Sequence, residues 1–128
     1  MMLHLELVDY GLGKNLSGSD LEWQELSEAD LREADLSRAN LRCADLSWAD
    51  LTGANLAGAN LEDANLTGAN LTDAILNFAD LGGATLIETK LTRAFLIGVN
   101  LRSANLDQAI FEETDLMGAT MPDGTLHE

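Results

Sequence analysis

Apolar and polar residues alternate along this chain with a period of five. Leu stands at every fifth position from Leu16 to Leu126, with Phe111 and Met121 the only replacements. Neither regular element can use that spacing. A helix turns about 100° per residue, so each five-residue step would rotate Leu by about 140°, and a strand would flip it to the opposite face. The pattern is satisfied only if the chain itself turns a corner every five residues, so that successive Leu side chains reach a common axis from successive sides. That is a solenoid.

The remaining positions agree. Two residues before each Leu, Ala is invariant from Ala29 to Ala84 and returns at 94, 104, 109 and 119, which predicts a second small inward position. The residue just before Leu is usually Asp or Asn, as in ADLSR, ANLRC, ADLSW, ANLAG and ANLTG between Ala34 and Gly68. Such side chains bond to nearby main-chain groups and tolerate tight turns. The two residues after Leu vary freely and include Gly at 18, 53, 58, 68, 83, 98 and 118, which suits corners with unusual dihedrals. Two positions face inward and three outward.

On these A(D/N)LXX units the sequence resembles the pentapeptide repeat family over residues 14–128, and its nearly pure Leu centres and MPDGTLHE segment look like cyanobacterial members. The resemblance implies an all-β fold, a right-handed quadrilateral parallel β-helix with four pentapeptides per coil and about six coils. At about 4.7–4.9 Å per coil the rod is expected to be roughly 25–30 Å long. Residues 1–13 fall outside the repeat. There Leu3, Leu5 and Leu7 alternate with other residues as in a short strand, followed by a turn at Gly11–Gly13, and this segment is expected to cap one end of the column. At the other end Phe111 and Met121 enlarge the last layers and Pro122 removes an edge donor. A monomer is expected, with an end-to-end dimer the alternative.

Charge narrows the function classes. The chain carries 22 acidic and 7 basic residues, a net charge of −15. Direct binding of nucleic acid or an anionic membrane calls for the opposite sign. The single Cys43 excludes an intrachain disulfide and fits a reducing compartment. The opening MMLHLELV lacks the basic start and long apolar run of a signal peptide, and no transmembrane span is evident, so a cytoplasmic location is expected.

A catalytic reading finds no pairing of nucleophile and base, and an interior filled by Leu and Ala leaves no room for a substrate. His4 and His127 lie far apart in the sequence, Gly82–Gly83 is not a phosphate loop, and the calcium-binding nonapeptide is absent. No enzyme activity, cofactor or metal is expected. Residues 20 apart should stack, which places Glu22, Arg42 and Glu62 in one charge ladder and Asp73, Arg93 and Glu113 in another. Thr52, Thr72 and Thr92 form a column without the paired lattice of an ice-binding surface, and β-propensity accounts for it.

One outward region breaks the polar rule. Ile75 and Phe95 occupy consecutive Asp/Asn positions of one side, Ile97 and Met117 follow Leu on that side, and Phe78 holds the adjacent corner. Stacking predicts one contiguous apolar patch, a feature of protein contacts. Trp23, Trp48, Ile87 and Ile110 are more isolated and read as packing filler. The expected function is therefore a noncatalytic scaffold whose Ile75, Phe78, Phe95, Ile97 and Met117 face meets an unidentified protein partner. The alternative comes from the resemblance: quinolone-resistance members mimic DNA and bind a type II topoisomerase, gyrase. Uneven charge speaks against it, because residues 16–35 carry seven acids and one Arg while residues 36–55 balance Arg38 and Arg42 against Asp45 and Asp50.

Overall fold

The Leu spacing is realised as a corner in the backbone. In the computed structural model, which describes residues 12–128, each unit from Leu16 to Leu106 closes a turn in which the residue three after Leu donates its N–H back to the Leu carbonyl, for example Ala29 to Leu26 at 3.1 Å. The residue between has positive φ at all 22 corners from Gly13 (74°) to Gly118 (73°), and 14 of these residues are not Gly. This is the signature of a type II turn. Left-handed backbone costs a residue with a Cβ roughly 1–2 kcal/mol, so the corner is imposed by the coil rather than chosen locally by Gly.

Parallel bridges join residues 20 apart, from Asn15 with Asp35 to Asn100 with Thr120. Four corners therefore complete one coil, and the bridging residues form four flat sides. The first side carries 15, 35, 55, 75, 95 and 115; the second carries 20 to 120, the third 25 to 105 and the fourth 30 to 110, each in steps of 20. The inward positions fill the column as expected. Leu21 through Leu101 are at most 2% exposed, and Ala29 through Ala94 are buried with them. Thr89 and Thr114 replace Ala without an orphaned hydroxyl, because each donates to a main-chain carbonyl 23 residues earlier, Leu66 and Leu91, at 2.7 Å.

Backbone hydrogen bonding explains why Asp or Asn precedes Leu. In a repeat such as 55–59, the Leu56 and Gly58 N–H groups donate to carbonyls of the coil above, Asn55 donates to the coil below, and Ala59 closes its own turn. The residue just after Leu is left over. Its N–H goes to the preceding Asp or Asn Oδ1, as from Ala57 to Asn55 and Glu62 to Asn60, both at 3.0 Å. Where Ser or Thr fills that place, its hydroxyl donates to the same oxygen, at 2.6 Å in Thr52–Asp50 and Thr72–Asn70. Thr92 shows the dependence by exception: Lys90 stands where the acceptor should be, and the buried Thr92 hydroxyl has no partner. Thr120 also lacks the acceptor, but there the leftover residue is Pro122, which has no N–H to satisfy.

The five-residue count outlasts the coil at one end. Leu126 continues the five-residue count but not the coil: it is 60% exposed and forms an antiparallel bridge with Thr120. Gly124 donates to Met121, Met121 to Thr125 and His127 to Ala119, so the segment turns back on the last side. The turn is enforced at Asp123, whose Oδ1 accepts from the Thr125 N–H and hydroxyl. Among the described residues the regular corners, 22 at four per coil, thus make five and a half coils, in keeping with the expected number of about six. At the other end, corner geometry holds at Leu12–Gly13, with Gly13 N–H donating to the Arg32 carbonyl. The proposed strand at Leu3, Leu5 and Leu7 lies outside the described residues.

Candidate interaction face

The register brings the predicted apolar residues together. Ile75 bridges Phe95, and Phe95 bridges Asp115, on the first side. Phe78 is 72% exposed, Met117 62% and Phe95 46%, with Ile75 and Ile97 half-buried. The structure adds a detail that column counting does not supply. The Phe78 ring leans onto the coil above, where a Cβ on Gly98 would lie 2.6 Å from the ring. Phe95, Ile97 and the Phe78 ring consequently form one apolar row across a single coil, with Ile75 on the coil below and Met117 on the coil above.

The same seating holds one other exposed aromatic. Trp48 lies against Gly68, where a Cβ would come within 2.2 Å of the ring, so Trp48 packs along the rod instead of projecting from it. Asp63 seats over Gly83 in the same way. Several corner glycines are therefore receiving surfaces for the side chain one coil below.

Placing Ile75 and Phe95 in the Asp/Asn column removes two acceptors from one side. Asn77 replaces one of them, its Oδ1 accepting from the Ile97 N–H one coil above at 2.9 Å. Sequence reasoning missed this role for Asn77. The signal was there: it is an Asn directly beneath the residue that lost its acceptor to Phe95.

The charge ladders form where the register places them. Arg42 lies 3.0 Å from Glu22 and 3.7 Å from Glu62, and Arg93 bonds Asp73 at 2.8 Å. Each Arg has its pKa raised, chiefly by the hydrogen bond to its carboxylate partner. A further pair lies within one repeat, where Arg32 bonds Asp30 and brings its pKa down to about 2. The Ser37 hydroxyl likewise lowers Asp35.

The described residues enclose no cavity or cleft. Among them no three His, Cys, Asp or Glu side chains converge on a metal position, and no helix is long and apolar enough to cross a membrane. Cys43 is half-buried and unbridged.

The sequence model of the Pentapeptide family, described as pentapeptide repeats (8 copies), matches residues 15–53, 49–87 and 86–121. The chain is a pentapeptide repeat protein. Its fold is the right-handed quadrilateral β-helix of that family. The last matched residue is Met121, where regular coiling also stops. Among solved structures, alr5209 from Nostoc PCC 7120, a pentapeptide repeat protein, is 41% identical, with 66% of this chain and 62% of that one covered and a TM-score of 0.50. Rfr23 from the cyanobacterium Cyanothece 51142 is 32% identical over 91% of this chain and 90% of its own, with a TM-score of 0.49. HetL, a pentapeptide repeat protein involved in heterocyst differentiation regulation from Nostoc sp. strain PCC 7120, is 34% identical over 88% of this chain, with a TM-score of 0.44. This chain spans 64% of the length of HetL. No protein with a curated description matches significantly.

Proposed function

We propose that this pentapeptide repeat protein is a noncatalytic scaffold that docks a partner protein on the first side of its rod, through Ile75, Phe78, Phe95, Ile97 and Met117. The observation that carries this reading is the apolar row of Phe95, Ile97 and the Phe78 ring, with Ile75 and Phe95 standing where the repeat usually places Asp or Asn. Asn77 makes good the acceptor lost at Phe95, while the one lost at Ile75 forfeits a hydrogen bond worth about 0.5–1.5 kcal/mol. Much apolar surface still stays in water, with Phe78 72% and Phe95 46% exposed. An apolar surface kept at a cost to the fold is best explained by what it contacts.

A filled column of Leu and Ala and a rod without a cleft support the noncatalytic assignment. The topoisomerase-binding alternative requires a phosphate-like run of carboxylates. The ladders instead alternate in sign, Glu22–Arg42–Glu62 and Asp73–Arg93. A gyrase supercoiling assay is expected to show no inhibition at micromolar protein.

The test of the scaffold reading is affinity capture from a lysate of the source organism with wild type and the Ile75→Asn/Phe95→Asn variant. These substitutions restore the repeat and so preserve the coil. A protein retained only by wild type is the expected result; the same protein retained equally by both would move the contact off the first side.

A further inference from the structure

The charges bordering the apolar row specify the chemistry of its occupant. Glu113 stands at the corner beside Phe95's side, Glu112 beside it, and Asp115 bridges Phe95 directly on the coil above. Asp80 borders the opposite corner on the second side. Two cations lie nearby, Arg93 and Lys90, and Arg93 is already bonded to Asp73 through two contacts, 2.8 and 3.3 Å. The C-terminal margin of the row is therefore anionic, on a chain whose net charge is −15.

We infer that the occupant is a cationic amphipathic segment of a partner protein, with apolar side chains on the row of Phe95, Ile97 and the Phe78 ring and Lys or Arg against Glu112, Glu113 and Asp115. This rests on the docking function proposed above and adds the partner's chemistry to it. Complementary charge steers such a segment to the rod and sets its direction, while the apolar row holds it. A second copy of this chain is disfavoured on the same grounds, because each copy carries a net charge of −15 and offers no cationic margin to match. An anionic membrane or nucleic acid is repelled. Flatness suits a segment that brings its own curvature, as an amphipathic helix does with apolar residues three and four apart.

The probes are a synthetic amphipathic helical peptide of Leu and Lys and its twin with Glu at every Lys position, each titrated into isotopically labelled protein and followed by NMR. The Leu/Lys peptide is expected to shift the resonances of Phe95, Ile97 and Met117, and the Leu/Glu peptide to shift none. Affinity for the Leu/Lys peptide should fall about tenfold in Ile75→Asn/Phe95→Asn, which leaves net charge unchanged, and about tenfold again in Glu112→Gln/Glu113→Gln.

Equal binding of the Leu/Glu peptide at the same resonances would overturn the cationic assignment while leaving the face in use. Equal binding of the Leu/Lys peptide by wild type and the Asn variant would overturn both. No binding of the Leu/Lys peptide at about millimolar concentration, in either low or high salt, overturns the assignment too. So does a wild-type dimer in sedimentation that the Asn variant loses, since it would seat a second copy on the row.

Discussion

The first and second sides of the rod share one backbone, and their Asp/Asn columns part at two consecutive coils. On the second side Asp20, Asn40, Asn60, Asp80 and Asn100 form an uninterrupted column, and each accepts the leftover N–H of its repeat. On the first side the column runs Asn15, Asp35, Asn55 and is then broken by Ile75 and Phe95. The bridges, corners and buried Leu layers continue unchanged through the break. The inward positions therefore specify the coil, and the Asp/Asn position contributes a bond that one side can forgo. That position is where the surface can be rewritten without refolding the chain.

The comparison presupposes a column common to both sides, and Leu66→Asp is the way to break it. The side chain is 1% exposed at mid-column, so an unpaired carboxylate there should cost several kcal/mol. Urea denaturation followed by circular dichroism should lose its cooperative transition; a wild-type curve would refute the filled column.

Gly68→Ala tests the corners that separate the sides. Its Cβ would occupy the place of the Trp48 ring, and φ is 68°, so a loss of about 1–3 kcal/mol is expected. Trp48→Ala should recover part of it in the double variant, leaving only the cost of the positive φ. Strict additivity would show that the ring does not rest on Gly68.

Exchanging the two sides' side chains sharpens the contrast directly. Asn60→Ile removes the acceptor for Glu62 N–H and should destabilise by about 0.5–1.5 kcal/mol. Ile75→Asn, which supplies an acceptor to Asn77 N–H, should stabilise by a similar amount. Thermal melts of both would settle the sign, and equal shifts in one direction would end the argument from the leftover donor.

The smallest effect concerns the fourth side, where Arg32 holds Asp30 at about 2. A carboxylate lowered by folding contributes stability that is present above its unfolded value of about 3.9 and is lost as pH falls through the folded value. Both side chains are substantially exposed, so the contribution is small. Arg32→Ala should move the Asp30 carboxyl resonance to a higher titration midpoint while Asp35, lowered by Ser37, keeps its own.

Much of this was legible in the sequence because one geometry repeats. Leu at every fifth residue gave the corners, and the resemblance supplied four units per coil, so the grouping of Ile75, Phe95, Ile97 and Met117 followed by counting. Counting failed where a side chain leaves its own level or the pattern persists after the geometry stops. Phe78 belongs by number to the coil of Leu76, yet its ring rests on Gly98. Leu126 keeps the period, but the Asp123 turn has already sent it back along Thr120. Thr92 fits its Thr column and still has an orphan hydroxyl, because the partner its neighbours use is not in that column but two residues earlier.

A period of five inside a period of twenty has a consequence for insertions. Adding one pentapeptide between Asn70 and Leu71 would keep every later Leu facing the axis while advancing all that follows by a quarter turn. Ile75 would no longer sit above Asn55, Asp63 would lose its seat on Gly83 across the join, and the apolar row would face another direction relative to the coils below. The core reads length in fives and the surface reads it in twenties, so such a duplication would be silent in folding and a change of heading in recognition.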